Sequence, residues 1–152
     1  MSNEVVLYHG TSKVFLPDIL ERGLRPAYRA EKIVPEAITK VTDFTLTTHY
    51  ETAEYYARLS PYGRGPNPIV LEYHVPLSEL SKYLYGGRPQ TWDYVAVPPG
   101  HLQFALKRPL SSKFLVATHE YESGSMQFYG SGEFRRIPRR REIFVHKHRR
   151  RA

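Results

Sequence analysis

The sequence predicts one α+β domain with its helices concentrated in the first half. Three observations carry this. Short apolar runs of strand composition recur along the chain, the clearest at residues 69–75. Two stretches in the first half carry helix start and stop signals. The length, 152 residues, supports one hydrophobic core and is too short for two comfortable ones.

Val5, Val6, Leu7 and Tyr8 form an apolar run closed by Gly10, which reads as a buried strand entering a turn, with His9 at its end. Pro17 suits the first turn of a helix, Ile19 and Leu20 supply its apolar face, and Gly23 before Leu24 and Pro26 is a stop. Residues 25–40 show no clean period and read as a long loop. A second strand is expected over residues 42–47, where Phe44 and Leu46 alternate with threonines. Thr48 to Glu51 then fits a capping box, the Thr48 hydroxyl accepting from the third helical amide while Glu51 reaches back. The following helix places Ala53, Tyr56 and Ala57 on one face and ends by Ser60 and Pro61. Tyr56 is expected to face inward between small neighbours, with room above its ring.

Gly63, Gly65, Pro66 and Pro68 predict a turn before the strand at 69–75, and residues 77–84 a short helix. Between Gly86 and Pro109 the chain is rich in Pro, Gly and aromatics, with residues 95–97 read as a strand and 101–106 as a helical turn. Residues 113–118 and 134–137 read as further strands, and 142–145 as the last, opened by Glu142. Residues 1–148 form the domain and 149–152 a basic tail.

The net charge of +7 is concentrated: residues 135–151 hold nine Arg and Lys against Glu142 alone, a local +8 that leaves −1 for everything else. Clustered arginine neutralises phosphates and releases counterions, so the segment fits a polyanionic partner. A solvated tail is the alternative for Arg149 to Arg151. Cysteine is absent, which excludes disulfides, thiolate nucleophiles and Cys-ligated zinc. No apolar run approaches the roughly 18 residues of a membrane span, and the start, Met-Ser-Asn-Glu, lacks the features of a signal peptide. A soluble, cytoplasmic protein is expected. Phosphate-loop, GxGxxG, HExxH and GxSxG patterns are missing. The seven histidines are scattered, His146 and His148 being too close on a basic strand for a good metal signature, so no metal is expected.

Three features remain: Tyr8-His9-Gly10-Thr11, Thr45-Leu46-Thr47 leading into the helix with Tyr56, and Glu142. Each has a structural alternative: a polar turn, a core tyrosine, and an ion-pair partner among arginines. Glu120-Tyr121-Glu122 is a rival carboxylate element, but it follows a strand rather than preceding one.

In this order, LYHGTS, a helix ending in GL, and LTT-x-x-x-x-A-x-x-YA, the features resemble the ADP-ribosyltransferase superfamily, in its His-Tyr-Glu branch that includes the poly-ADP-ribose polymerases. The resemblance covers most of the chain. It implies a split mixed β-sheet core with flanking helices, and NAD as co-substrate. His9 then matches the histidine that bonds the adenosine-side ribose, with Thr11 beside it. The Gly10 backbone matches the group holding the nicotinamide amide, Tyr56 the tyrosine stacking on that ring, and Ala53 a small residue lining the same wall. Thr45 stands where a first tyrosine is expected and cannot stack, so the other ring face falls to Tyr55 or a loop aromatic such as Tyr28. Glu142 matches the catalytic glutamate.

The chemical role of Glu142 can be stated independently. Breaking the bond from ribose to nicotinamide builds oxocarbenium-like charge on the sugar, and a fixed carboxylate stabilises that charge in the transition state. Nicotinamide departs neutral, so no general acid is required. Arg140 occupies the position two before the glutamate, where arginine-modifying members carry Glu or Gln. With Arg139 and Arg141 it suits a phosphate-bearing acceptor. The expected function is therefore mono-ADP-ribosyl transfer to RNA or DNA, as in a small toxin or phage-related effector. An NAD-dependent RNA 2′-phosphotransferase, a protein acceptor, a non-enzymatic nucleic-acid binder and an arginine surface docking an acidic neutralising protein remain open.

Overall fold

The computed structural model describes residues 3–25, 45–57, 67–89, 100–121 and 140–146. They form an α+β architecture around one seven-stranded sheet. β1 (Glu4–Ser12) and β3 (Pro68–Pro76) pair along their whole lengths, from Glu4 opposite Pro76 to Ser12 opposite Pro68. β6 (Leu115–Tyr121) adds to β3, and β7 (Arg140–Phe144) is the edge strand on that side. Beyond β1 lie β2 (Thr45–Thr47), β5 (Leu102–Ala105) and β4 (Arg88–Pro89), giving the order β4-β5-β2-β1-β3-β6-β7. Among the described residues every pairing is antiparallel, so the parallel component of the expected mixed sheet is not found there. Among the described residues the joint between β2 and β1 is one residue pair, Tyr8 with Thr47.

Successive side chains of a strand point to opposite faces. On β3, Ile69, Leu71, Tyr73 and Val75 enter the main core with Leu7, Leu46, Phe104 and Leu115, while Val70, Glu72 and His74 take the other face. The main core is closed by α1 (Leu16–Arg22), which buries Ile19, and by the 3-10 turn Ser112–Phe114. The Ser112 hydroxyl ties these together by donating to the Leu20 carbonyl at 2.9 Å. A short turn and α3 (Leu80–Tyr83) follow β3, placing Tyr83 edge-on against Phe114. The second face is covered by α2 (Tyr50–Ala57), where Ala53 and Ala57 pack on Val70.

The signals for α1 hold: Pro17 lies in its first turn, and Gly23, at φ 84°, donates its amide to the Ile19 carbonyl. Other expectations are corrected. β1 continues through Gly10 to Ser12, so His9 lies inside the strand rather than at its end. Thr48 does not cap α2. Its hydroxyl accepts the Leu102 amide at 2.8 Å and donates to the Leu102 carbonyl at 3.3 Å, spending its hydrogen bonds on the approach to β5. Residues 101–106 are not a helical turn: Leu102 to Ala105 extend between β2 and β4, as the period-two spacing of Leu102 and Phe104 allows. Glu142 is central in β7 and does not open it.

Residues 26–44, with most of the long loop, Tyr28 and the start of the second strand, lie outside the described residues. So do the expected helix end at Ser60 and Pro61, Gly63, Gly65 and Pro66 of the expected turn, the strand expected at 95–97, that at 134–137, Glu122, Arg139 and the tail at 149–152. No helix among the described residues is long and apolar enough to cross a membrane.

Candidate functional site

Beside the small apolar cluster of Ala53, Ala57 and Val70, the same face of the sheet carries buried polar groups. Glu4, His74, Glu72, His119 and Glu142 make an alternating row of carboxylates and imidazoles across β1, β3, β6 and β7. Glu4 Oε1 lies 3.5 Å from His74 Nδ1, and His74 Nε2 lies 2.7 Å from Glu72 Oε2. Glu72 Oε1 is 2.8 Å from His119 Nε2, which is in turn 3.8 Å from Glu142 Oε2.

Register explains the convergence. Gly10, Val70, His119 and Glu142 lie opposite one another across four strands, and Tyr8, Glu72, Ala117 and Phe144 form the next row on the same face. The side chains of Glu72 and His119 are each only 3% exposed. A carboxylate so buried needs donors to replace water, and since an ionised carboxylate can only accept, both Nε2 atoms donate to it. Glu142 is the outer member, with its side chain 28% exposed. Phe144, two residues along the same face of β7, is exposed beside it.

Aromatic rings wall the row. Tyr8 meets Tyr50 edge-on at 5.3 Å between centroids, and His119 meets Tyr50 at 5.2 Å. The Tyr50 and Tyr121 hydroxyls are hydrogen-bonded. Burial, then the neighbouring Tyr50 and Glu54, pushes the Tyr121 hydroxyl far above the ordinary phenol range, so it stays protonated and can donate.

The residues singled out in the sequence fall into two groups. Gly10, Ala53 and Tyr56 lie where α2 crosses β1; Ala53 is buried, and Tyr56 is half-buried and edge-on to Tyr55. Thr45 begins β2 opposite Ala105. His9 and Thr11 are buried, but on the other face: His9 shares its row with Leu71, Thr118 and Ile143. Glu142 lies on the face of Gly10 and forms the second group with Glu72 and His119. It lies three strands from β1, a lateral distance of roughly 14 Å at about 4.8 Å per strand. The structure therefore does not bring His9 and Glu142 together. Arg140 is the first residue of β7, and Arg141 is exposed, 3.6 Å from Glu120. Glu120, the rival carboxylate, is also bound by Lys13 at 3.0 Å.

Sequence reasoning missed Glu72, His74 and His119. The available signal was Glu72 itself, a carboxylate inside the most apolar run of the chain. A further pair, His49 and His101, packs ring on ring at 4.7 Å beside β2 and β5. Burial first, then the charge of His101, lowers the pKa of His49, with Glu51 opposing.

Comparison with protein-family models, curated proteins and solved structures finds no match to the chain.

Proposed function

We propose that the chain cleaves NAD and transfers its ADP-ribose to a nucleic acid, with Glu142 as the carboxylate beside the reacting sugar. The observation that carries this reading is the setting of Glu142: a partly exposed carboxylate, backed by the buried His119 and adjacent to an exposed aromatic ring, Phe144. The single-pair joint between β2 and β1, which divides the sheet into three and four strands, supports the split core that the sequence resemblance implies.

In the proposed reaction the bond from ribose C1′ to nicotinamide breaks and its electron pair leaves with the neutral base. The acceptor forms the new bond to C1′ and releases its proton to solvent. Glu142 stabilises the developing positive charge on the sugar, and Phe144 offers a face for a planar ring. Glu72, accepting from His119 Nε2, holds that ring in place behind it. Arg141 and Glu142 are consecutive on an edge strand, so a phosphate backbone lying along that edge meets the cation and the carboxylate from opposite sides. His9 faces away from Glu142, and the space over Gly10 is filled by α2, so neither is given a role in this step.

The test is nicotinamide release from NAD by the purified chain, with and without RNA or single-stranded DNA, for wild type and Glu142→Gln. Turnover that rises with nucleic acid and collapses in the variant supports the reading. Binding of nucleic acid with no turnover in either protein would leave a binding module. A cyclic phosphate-bearing ADP-ribose product would instead indicate 2′-phosphotransfer.

A further inference from the structure

We infer that Glu72, His119 and Glu142 form a binding site for one divalent transition-metal ion. One donor atom from each lies within 4.8 Å of the other two. The donors are 47 and 23 residues apart in the chain and are brought together by the adjacent strands β3, β6 and β7. This is no surface acidic patch, because two of the three side chains are almost wholly buried.

Geometry and charge agree. Metal bonds of about 2.0–2.2 Å to nitrogen and oxygen set neighbouring ligand atoms about 3–3.5 Å apart. The two contacts of His119 Nε2, 2.8 Å to Glu72 and 3.8 Å to Glu142, bracket that range, so a small adjustment admits an ion. Binding replaces the Nε2 proton, and the ion's two positive charges match the two carboxylates that converge on the ring. Imidazole with two carboxylates suits zinc, manganese or iron(II) better than magnesium or calcium, and three protein donors leave positions for water.

A second, independent feature points the same way. The oxygen of Glu72 turned away from the ion accepts from His74 Nε2 at 2.7 Å, and His74 is itself held by Glu4. Metal-ligating carboxylates are characteristically fixed by such an outer layer. One support is missing: His119 Nδ1, which carries the ring proton in the bound form, is buried without a hydrogen-bond partner among the described residues. Loss of one outer-layer contact weakens a site by about 10- to 100-fold, so the ion exchanges and is removed by a chelator.

The inference does not rest on the NAD reading and excludes it while the ion is bound, because an ion on Glu142 neutralises the carboxylate that reading sets beside the sugar; the test contains no NAD. The full chain is stripped with chelator and titrated with zinc(II) and manganese(II) by calorimetry, and with cobalt(II) by visible absorption. One saturable equivalent is expected, with a rise in melting temperature. In Glu142→Gln, a near-isosteric change at the exposed end of the site, affinity should fall at least about 10-fold and the thermal shift should disappear. His74→Gln, which touches no ion, should weaken binding by about 10-fold with one equivalent retained. The metal-free melting temperature of each variant reports whether the fold is intact. The inference is overturned if no ion binds saturably. It is equally overturned if a folded Glu142→Gln protein binds as tightly as wild type, since the ion then sits elsewhere.

Discussion

Gly10 on β1 lies directly beneath Ala53 on α2. A Cβ added to the glycine would stand 2.7 Å from the Ala57 amide nitrogen and closer still to the Ala53 carbonyl oxygen. The helix rests on the strand because the side chain is absent. Gly10→Ala must lift α2 from Val70, and both obstructing groups are backbone. We expect a loss of about 3 kcal/mol, the upper end of overpacking costs, read as a fall in melting temperature of about 10 °C. An unchanged melt with weakened NAD binding would return the glycine to the ligand-binding role that the sequence resemblance implies.

Tyr73 is fully buried among Leu7, Leu71 and Leu115, and its hydroxyl has no hydrogen-bond partner among the described residues. Burial drives its pKa far above the phenol range, so the group remains a neutral, unsatisfied donor at any ordinary pH. Removing such a group relieves a desolvation cost of about 1–3 kcal/mol. Tyr73→Phe is therefore expected to stabilise the chain by about 1 kcal/mol in denaturant unfolding. Destabilisation would show that the hydroxyl has a partner, such as a buried water.

His49 gives a pH dependence whose sign can be worked out. Its folded pKa lies below the unfolded value of 6.5, chiefly through burial. Between the two values the unfolded chain binds more protons, so stability rises with pH. The contribution is complete above 6.5 and is lost as pH falls through that value towards the folded pKa. His49→Gln should flatten this part of the stability profile between about pH 5 and 7, the range in which histidine titrates. A slope unchanged in the variant assigns the dependence to another histidine.

The elements whose signals are local were legible in the sequence: α1 with Pro17 and Gly23, and β3 with its largely apolar run, interrupted by Glu72 and His74. Thr48 was misread because a hydroxyl before a helix fits a capping box equally well whether or not a strand lies beside it, and here the Leu102 backbone competes for it. The site was less legible for the same reason. Glu142 could be picked out by its isolation among arginines, but its neighbours Glu72 and His119 come from distant strands. Only the register fixes the parity that sets His119 facing Glu142 and turns His9 away. A one-residue slip would exchange those faces, and turn and loop lengths do not reveal it.

That parity separates His9 and Glu142 experimentally. His9 is buried on the main-core side, so His9→Ala should lower the melting temperature through lost packing and, under the proposed function, leave the chemical step near wild type. Glu142→Gln changes a partly exposed side chain on the other face. Under the proposed function it should preserve the melt and lower single-turnover nicotinamide release by about 100- to 1000-fold, the range seen on removing one preorganised electrostatic group. The two residues do not touch, so in the double variant the free energies should add to within about 0.5 kcal/mol, both for stability and for turnover. Strong non-additivity in turnover would mean that both residues grip the same NAD molecule, and hence that ligand binding brings together groups the sheet holds on opposite faces.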